Sequence, residues 1–435
     1  MHETSRHRTF SSRWKTVPHF FTSVLLVSLA GICGAPLAAS EPFRVCLVGA
    51  DRQSVEKLNT LKGALEKTFG FACSLAPAMR SGGGRTALDP LRSAQAAVFY
   101  HGPGTLAEGD AAVLREFIGS GKGCVVIGAS EEAWSALAGF SGDILGATPG
   151  DRFAHGSPMT VINLFPHPIF TGVTKFETQQ AMTQYTKLAS DAQMIMEGTV
   201  GDETTPLAWV RRRPSGRVCH LVPDEPGLFS DPYYQKMVGN ALLWTCGRPV
   251  PGAHPFVQRT YMPDAHPGSF AITLPNGPSV CLDPVRGGIN YIWDGDFVDL
   301  RPRWLTKQGA PAGIFGEVFY REKTWQPLRL GAPNREPDFH FRGYTLRDGL
   351  PEFHYLIDGR DVYETIGPGK DGAGVLRRFR VGPGAGPLWL NLEPQPGAEI
   401  SLRGLERDGD RVCFPSSATG EFTIEIHRKT GGATP

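Results

Sequence analysis

His101 follows the apolar run Ala96-Ala97-Val98-Phe99-Tyr100 and precedes Gly102-Pro103-Gly104. An imidazole on such a loop titrates near neutrality and can act as a general base; the competing reading is a turn residue that bonds the local backbone. Asp51, after Gly49-Ala50, and Asp224, after Val222-Pro223, offer a carboxylate pair across a cleft, or a cap for the segment that follows each of them. Ser130 sits in Gly128-Ala129-Ser130-Glu131-Glu132, at a strand-to-helix turn where a nucleophile could stand. The turn lacks the second Gly of a nucleophile elbow. Ser130 therefore reads as a helix cap or a ligand contact.

Other chemistry-bearing patterns are weaker. Ser81-Gly82-Gly83-Gly84-Arg85 lacks the Gly-Lys-Ser/Thr ending of a phosphate loop and reads as a flexible loop. The spaced carboxylates Asp294, Asp296 and Asp299 complete no calcium loop, and turn chemistry is the expectation there. Trp293, Phe297, Trp304, Tyr320, Trp325 and Tyr344 could line a sugar-binding face, or form the core of a strand-rich domain. No Cys-x-x-Cys pair occurs, which excludes a zinc ribbon, a thioredoxin-type motif and haem attachment. Cys46 and Cys124 lie inside apolar runs and read as buried small hydrophobes. No metal or cofactor is assigned.

These residues need a scaffold. From Phe43 to about Gly247, apolar strand runs alternate with helical patterns. Phe43–Gly49, Ala96–Tyr100 and Cys124–Gly128 suit strands buried on both faces. Val55, Leu58, Leu61 and Leu65 form one stripe of a helix over 54–69. Thr105-Leu106-Ala107-Glu108 matches a capping box opening a second helix, and Asp231-Pro232 opens a closing helix to Trp244. Later strands are expected over 193–198, 206–210 and 216–222. The pattern indicates a doubly wound α/β domain over 41–248. A Pro-, Gly- and His-rich linker, 249–268, leads to short alternating strands over 269–430, an antiparallel β-sandwich.

The 435-residue chain is 41% hydrophobic, ordinary for a folded protein. Its first forty residues have a secretory-signal layout: Arg6, Arg8, Arg13 and Lys15, then an apolar run over 20–35, then Pro36-Leu37-Ala38-Ala39-Ser40. Cleavage after Ser40 and a periplasmic or secreted location are expected, the alternative being an uncleaved membrane anchor. Removal takes four of 44 basic and one of 43 acidic residues, leaving a net charge of −2. That balance argues against a nucleic-acid partner. Arg211-Arg212-Arg213 is the only basic run and reads as a solvated strand end.

His167-Pro168-Ile169-Phe170-Thr171-Gly172-Val173, Pro206-Leu207-Ala208-Trp209-Val210 with Gly216-Arg217-Val218, and Asn240-Ala241-Leu242-Leu243-Trp244 together resemble the ThuA-like (trehalose utilisation) family. The resemblance covers about residues 43–247 and implies a class I glutamine amidotransferase-like fold. It also implies that His155, in Arg152-Phe153-Ala154-His155-Gly156, and Tyr185 join His101 near one rim as polar site residues. Several family positions depart: Asp51 stands where many members have His, Met182-Thr183-Gln184 where an Asp-Glu pair precedes the Tyr, and Val222-Pro223-Asp224 where they read Gly-His. The replaced groups imply a divergent or non-catalytic protein that binds a small, carbohydrate-derived ligand; an active sugar hydrolase, isomerase or lyase is the alternative. Residues 270–366, with Tyr291-Ile292-Trp293-Asp294-Gly295-Asp296, Trp304 and Pro351-Glu352-Phe353-His354-Tyr355, are similar to a β module of exported proteins that accompany c-type cytochromes. That implies an exported redox protein as a possible partner and an accessory role as a third reading.

Overall fold

The computed structural model describes residues 41–429 apart from 79–86, 102–105, 129–136, 138, 153–159, 175–182, 201–202, 276, 301, 303–308, 371, 373, 385, 393–394, 409–410 and 415–419. The segment read as an export signal, with Ser130, His155, Thr105 and Trp304, lies outside the described residues. The described residues from Pro42 onward form one compact unit.

Its first part runs β1 (Arg44–Gly49), α1 (Arg52–Phe69), β2 (Ala72–Pro77), α2 (Pro90–Ser93), β3 (Ala96–Tyr100), α3 (Glu108–Gly119), β4 (Gly123–Ile127), β5 (Ala147–Arg152), β6 (Thr160–Leu164), β7 (Thr183–Leu188), β8 (Ala192–Val200), β9 (Glu203–Arg213), β10 (Gly216–Leu221) and α4 (Pro232–Thr245). An eight-stranded sheet has the order β2-β1-β3-β4-β10-β9-β8-β6. β2, β1, β3, β4 and β10 are parallel. β9, β8 and β6 are antiparallel additions, so the sheet is mixed where the apolar runs alone suggested a parallel one. The reason is local. Only Pro214 and Ser215 separate β9 from β10, and two residues can close a hairpin but not a parallel crossover.

Helix ends follow side-chain chemistry. Asp51 caps α1 by accepting from the Ser54 N–H at 2.7 Å, and Gly70 (φ 68°) closes it. Leu58, Leu61 and Leu65 are fully buried, as their spacing requires. Asp231 accepts from the Tyr233 and Tyr234 N–H groups at the start of α4. The capping box rests on Thr105, which lies outside the described residues. α3 begins at Glu108 with no side-chain cap, and the Glu108 carboxylate pairs with Arg115.

The β-rich part comprises β11 (Phe256–Arg259), β12 (Phe270–Thr273), β13 (Ser279–Asp283), β14 (Gly288–Asp299), β15 (Gly313–Arg321), β16 (Leu328–Leu330), β17 (Phe339–Arg347), β18 (Leu350–Ile357), β19 (Arg360–Pro368), β20 (Val375–Val381), β21 (Leu388–Asn391), β22 (Ala398–Arg403), β23 (Glu406–Asp408), β24 (Arg411–Phe414) and β25 (Gly420–Arg428). They form three antiparallel sheets of five, six and four strands around shared apolar cores, where two facing sheets were expected. β11 lies inside the segment read as linker. Asp294 to Asp299 belong to β14, a bulged strand and not a turn. Asp358-Gly359, with φ of 48° and 81°, makes the tight turn between β18 and β19.

The basic run also departs from its sequence reading. Arg211 pairs with Asp191 at 2.9 Å and donates to the carbonyls of Gly142 and Asp143, while Arg212 lies over the Trp244 ring. Trp293, Phe297 and Tyr320 are buried core residues, which removes them from any sugar-binding face. Trp325 and Tyr344 are exposed. The residues that carry the family resemblance pack on one another. Asn240 donates from its side-chain nitrogen to the carbonyls of Ile169 and Thr171, both at 3.0 Å. His167 and Arg217 both pack on Trp244. These motifs hold α4 to the sheet.

Candidate rim site at the ends of the parallel strands

Chain order reverses between β2 and β3, both neighbours of β1, and such a switch point opens a crevice beyond the strands' carboxyl ends. In register, Gly49, Tyr100 and Ile127 stand side by side, and Leu221 pairs with Ile127. His101 and Gly128 follow Tyr100 and Ile127 directly, Asp51 follows Gly49 after Ala50, and Asp224 follows Leu221 after Val222-Pro223, so all four stand past the same strand ends.

His101 adopts φ 62°, a left-handed conformation disfavoured for a residue with a Cβ. It is held there by its N–H, which donates to the Ile127 carbonyl at 3.1 Å, and by ring contact with Tyr100. Its Nδ1 lies 3.6 Å from Asp224 Oδ2, with the His side chain 40% exposed and the Asp side chain 9%. One end of the imidazole thus faces a buried carboxylate and the ring remains open to solvent. Asp224 is fixed from three sides. The Tyr100 hydroxyl donates to its carbonyl at 3.1 Å, the Tyr234 hydroxyl donates to the carbonyl of Pro223 at 2.6 Å, and Gly128 lies against the side chain. Asp51 is both the α1 cap and a member of the cluster. Hydrogen bonds from the Ser54 N–H and hydroxyl hold its carboxyl below the ordinary range, with the Lys57 and His101 charges adding to the effect.

Tyr185 lies deeper, 4% exposed, against Trp209 and His220. Burial raises its hydroxyl pKa, and the Asp224 charge raises it further. Of the site residues expected from sequence, His101 and Asp224 come within 3.6 Å of each other, Asp51 lies within electrostatic reach of His101, and Tyr185 lies buried within electrostatic reach of Asp224. The buried thiols offer no nucleophile: burial lifts Cys46 to about 11 and Cys124 to about 12. Among the described residues, no group of three His, Cys, Asp or Glu could hold a metal ion.

Sequence reasoning missed His220, and it reads Tyr100 and Gly128 as the starts of rim loops and not as contacts of Asp224. The signal for His220 was a lone polar residue in the strand run Val218-Cys219-His220-Leu221. It is fully buried, 4.2 Å from Trp209 between ring centroids, and neither ring nitrogen has a hydrogen-bond partner among the described residues. Burial depresses its pKa from 6.5 to about 3. The folded chain therefore keeps His220 neutral while the unfolded chain protonates it below pH 6.5. Its contribution to stability is full above pH 6.5 and is lost as pH falls towards 3, by about 1.4 kcal/mol per unit. His220→Phe is expected to flatten that slope and to leave stability at pH 7 unchanged or higher by about 1 kcal/mol. Urea unfolding at pH 7 and pH 5 reads both; an unchanged acid slope would refute the assignment.

No protein-family model and no curated protein matches the chain. Among solved structures, it is similar to a protein from Parabacteroides merdae described as ThuA-like, with TM-score 0.35 and 14% identity over 48% of this chain and 91% of that one. A protein from Bacteroides uniformis described in the same words gives TM-score 0.35 and 13% identity over 49% and 95%. An exo-β-1,4-mannosidase from an Opitutaceae bacterium gives TM-score 0.31 and 11% identity over 47% and 36%.

Proposed function

We propose that this chain is an exported, divergent ThuA-like protein that binds a small polar, carbohydrate-derived ligand at the rim formed by Asp51, His101 and Asp224. In this reading residues 41–248 form the ligand domain and 269–430 an accessory β domain. The observation that carries it is His101, held in a left-handed backbone conformation with a buried carboxylate 3.6 Å behind its Nδ1. Strain of that kind, about 1–3 kcal/mol, is retained where surroundings impose it, most often at functional sites. Two carboxylates and an imidazole at one crevice supply acceptors and a switchable donor, the complement of a polyol's hydroxyls.

A thermal-shift screen against neutral and oxidised monosaccharides and disaccharides tests the reading, since a ligand that binds only the folded state raises Tm. A neutral sugar is expected to stabilise the protein, and His101→Asn and Asp224→Asn are each expected to weaken its binding by about tenfold. A flat screen, or full binding by both variants, would refute the rim site. A second reading, acid–base catalysis on the bound sugar, is favoured by the same His101–Asp224 geometry, which resembles a base and its orienting carboxylate. It requires turnover whose rate falls as His101 is protonated. Secretion is read separately: amino-terminal sequencing of exported protein is expected to start at Glu41.

A further inference from the structure

At the far end of β10 from Asp224, on the order of 20 Å along the strand, a cavity of about 680 Å³ opens between the β9–β10 turn and the β14–β15 hairpin. Its charged lining is Arg212, Arg213, Arg428, Asp191, Asp294 and Glu317. We propose that this cleft binds a small oxyanion-bearing ligand, a carboxylate or phosphate on a sugar-sized body, with Arg213 as its principal anchor.

The charges are not equivalent. Arg428 is committed to the β hairpin, with its guanidinium 3.1 Å from Asp294 and 2.6 Å from Glu317. Asp191 is committed to Arg211, which lies outside the lining. The carboxylates are therefore already matched. Arg213 has no hydrogen-bonded partner among the described residues, although it is partly buried beside a second cation, Arg211. Burial first, and Arg211 second, lower its pKa, so its charge is held at a cost that a bound anion would relieve. A guanidinium presents a planar fork of donors that fits carboxylate and phosphate oxygens in pairs.

Part of the opposite wall is bare backbone. Gly295 and Gly316 face each other across β14 and β15, and a Cβ on either would stand 2.0 or 1.8 Å from a carbonyl oxygen of the partner strand. Only glycine permits that approach. The volume lies within the roughly 300–1,000 Å³ of small-molecule sites, which often occur between packed units.

Isothermal titration of the full-length protein with glucuronate, inorganic phosphate and glucose tests this. Glucuronate or phosphate is expected to bind, and which of them does identifies the oxyanion. Arg213→Gln is expected to weaken that binding by about tenfold or more. Any heat from glucose belongs to the rim and must be the same in Arg213→Gln. No binding of either anion, or binding indifferent to Arg213→Gln, overturns the proposal. Should Arg213→Gln fail to fold, Arg428→Gln serves. That residue is half exposed, and its loss turns three arginines against three carboxylates into two against three. Undiminished anion binding in Arg428→Gln would overturn the proposal equally. Neither failure bears on the rim, which is read with neutral sugars.

Discussion

Arg377→Met is expected to lower the stability of the fold by about 3–5 kcal/mol, because it leaves buried carboxylates without their cation. Arg377 is fully buried in the β-rich core, with Nε 2.6 Å from Glu364 and Nη1 3.6 Å from Glu322. The Tyr355 hydroxyl donates to the other Glu364 oxygen at 2.9 Å. Burial alone would penalise the guanidinium charge, but Glu364 and Glu322 more than offset this and raise its pKa. Truncating the arginine removes that compensation while both acids stay in place. Replacing the whole cluster by apolar residues (Arg377→Met, Glu364→Leu, Glu322→Leu and Tyr355→Phe together) is expected to recover most of the loss, because no charge is then left buried. Urea unfolding of the single and combined variants checks both statements. A loss below about 1 kcal/mol for Arg377→Met would show that the network contributes little beyond its volume.

Arg377 also marks where sequence reasoning stops. Strand alternation is legible in Val375-Leu376-Arg377-Arg378-Phe379-Arg380-Val381, and positions 375, 377, 379 and 381 are the buried ones. Period two therefore places Arg377 inward. It cannot supply the partners, because Glu322 and Glu364 come from other segments and only the folded register brings them together. The same limit applies to the sheet of the first part. Apolar runs located β1, β3 and β4, since strands buried on both faces must be apolar throughout. The direction of β9 is set by connection length, which the two residues Pro214 and Ser215 decide more firmly than any apolar count. At the rim, Asp51 and Asp224 were visible as acids after strands, and His101 as an imidazole after another. Their convergence is a consequence of parallel register, which puts the first residues past adjacent strands side by side. Gly128 was read as the end of a strand and the start of the turn that carries Ser130. Its role depends on a backbone angle and on Asp224, ninety-six positions away by their numbering.

Gly128→Ala is expected to cost about 2–3 kcal/mol and to abolish binding at the rim. The backbone there has φ 50°, where a Cβ costs about 1–2 kcal/mol. A Cβ built on it would also stand 2.4 Å from both Cβ and Oδ2 of Asp224. Something must move, and the Gly128 N–H, which donates to the Leu221 carbonyl at 2.8 Å, ties that side of the contact to the sheet. Asp224 is the part that yields, and its departure takes the carboxylate away from His101. The steric share of the cost is separable from the backbone share. In Gly128→Ala with Asp224→Gly the clash is gone, so the second change should cost less stability in the alanine background than in the parent, a coupling of about 1 kcal/mol in a double-mutant cycle. Additive costs would mean that Gly128 is required for its φ alone and that Asp224 is not placed by it. Binding discriminates further. His101 persists in every one of these variants, so a rim that still held its ligand after Gly128→Ala would show that the imidazole works without the carboxylate behind it.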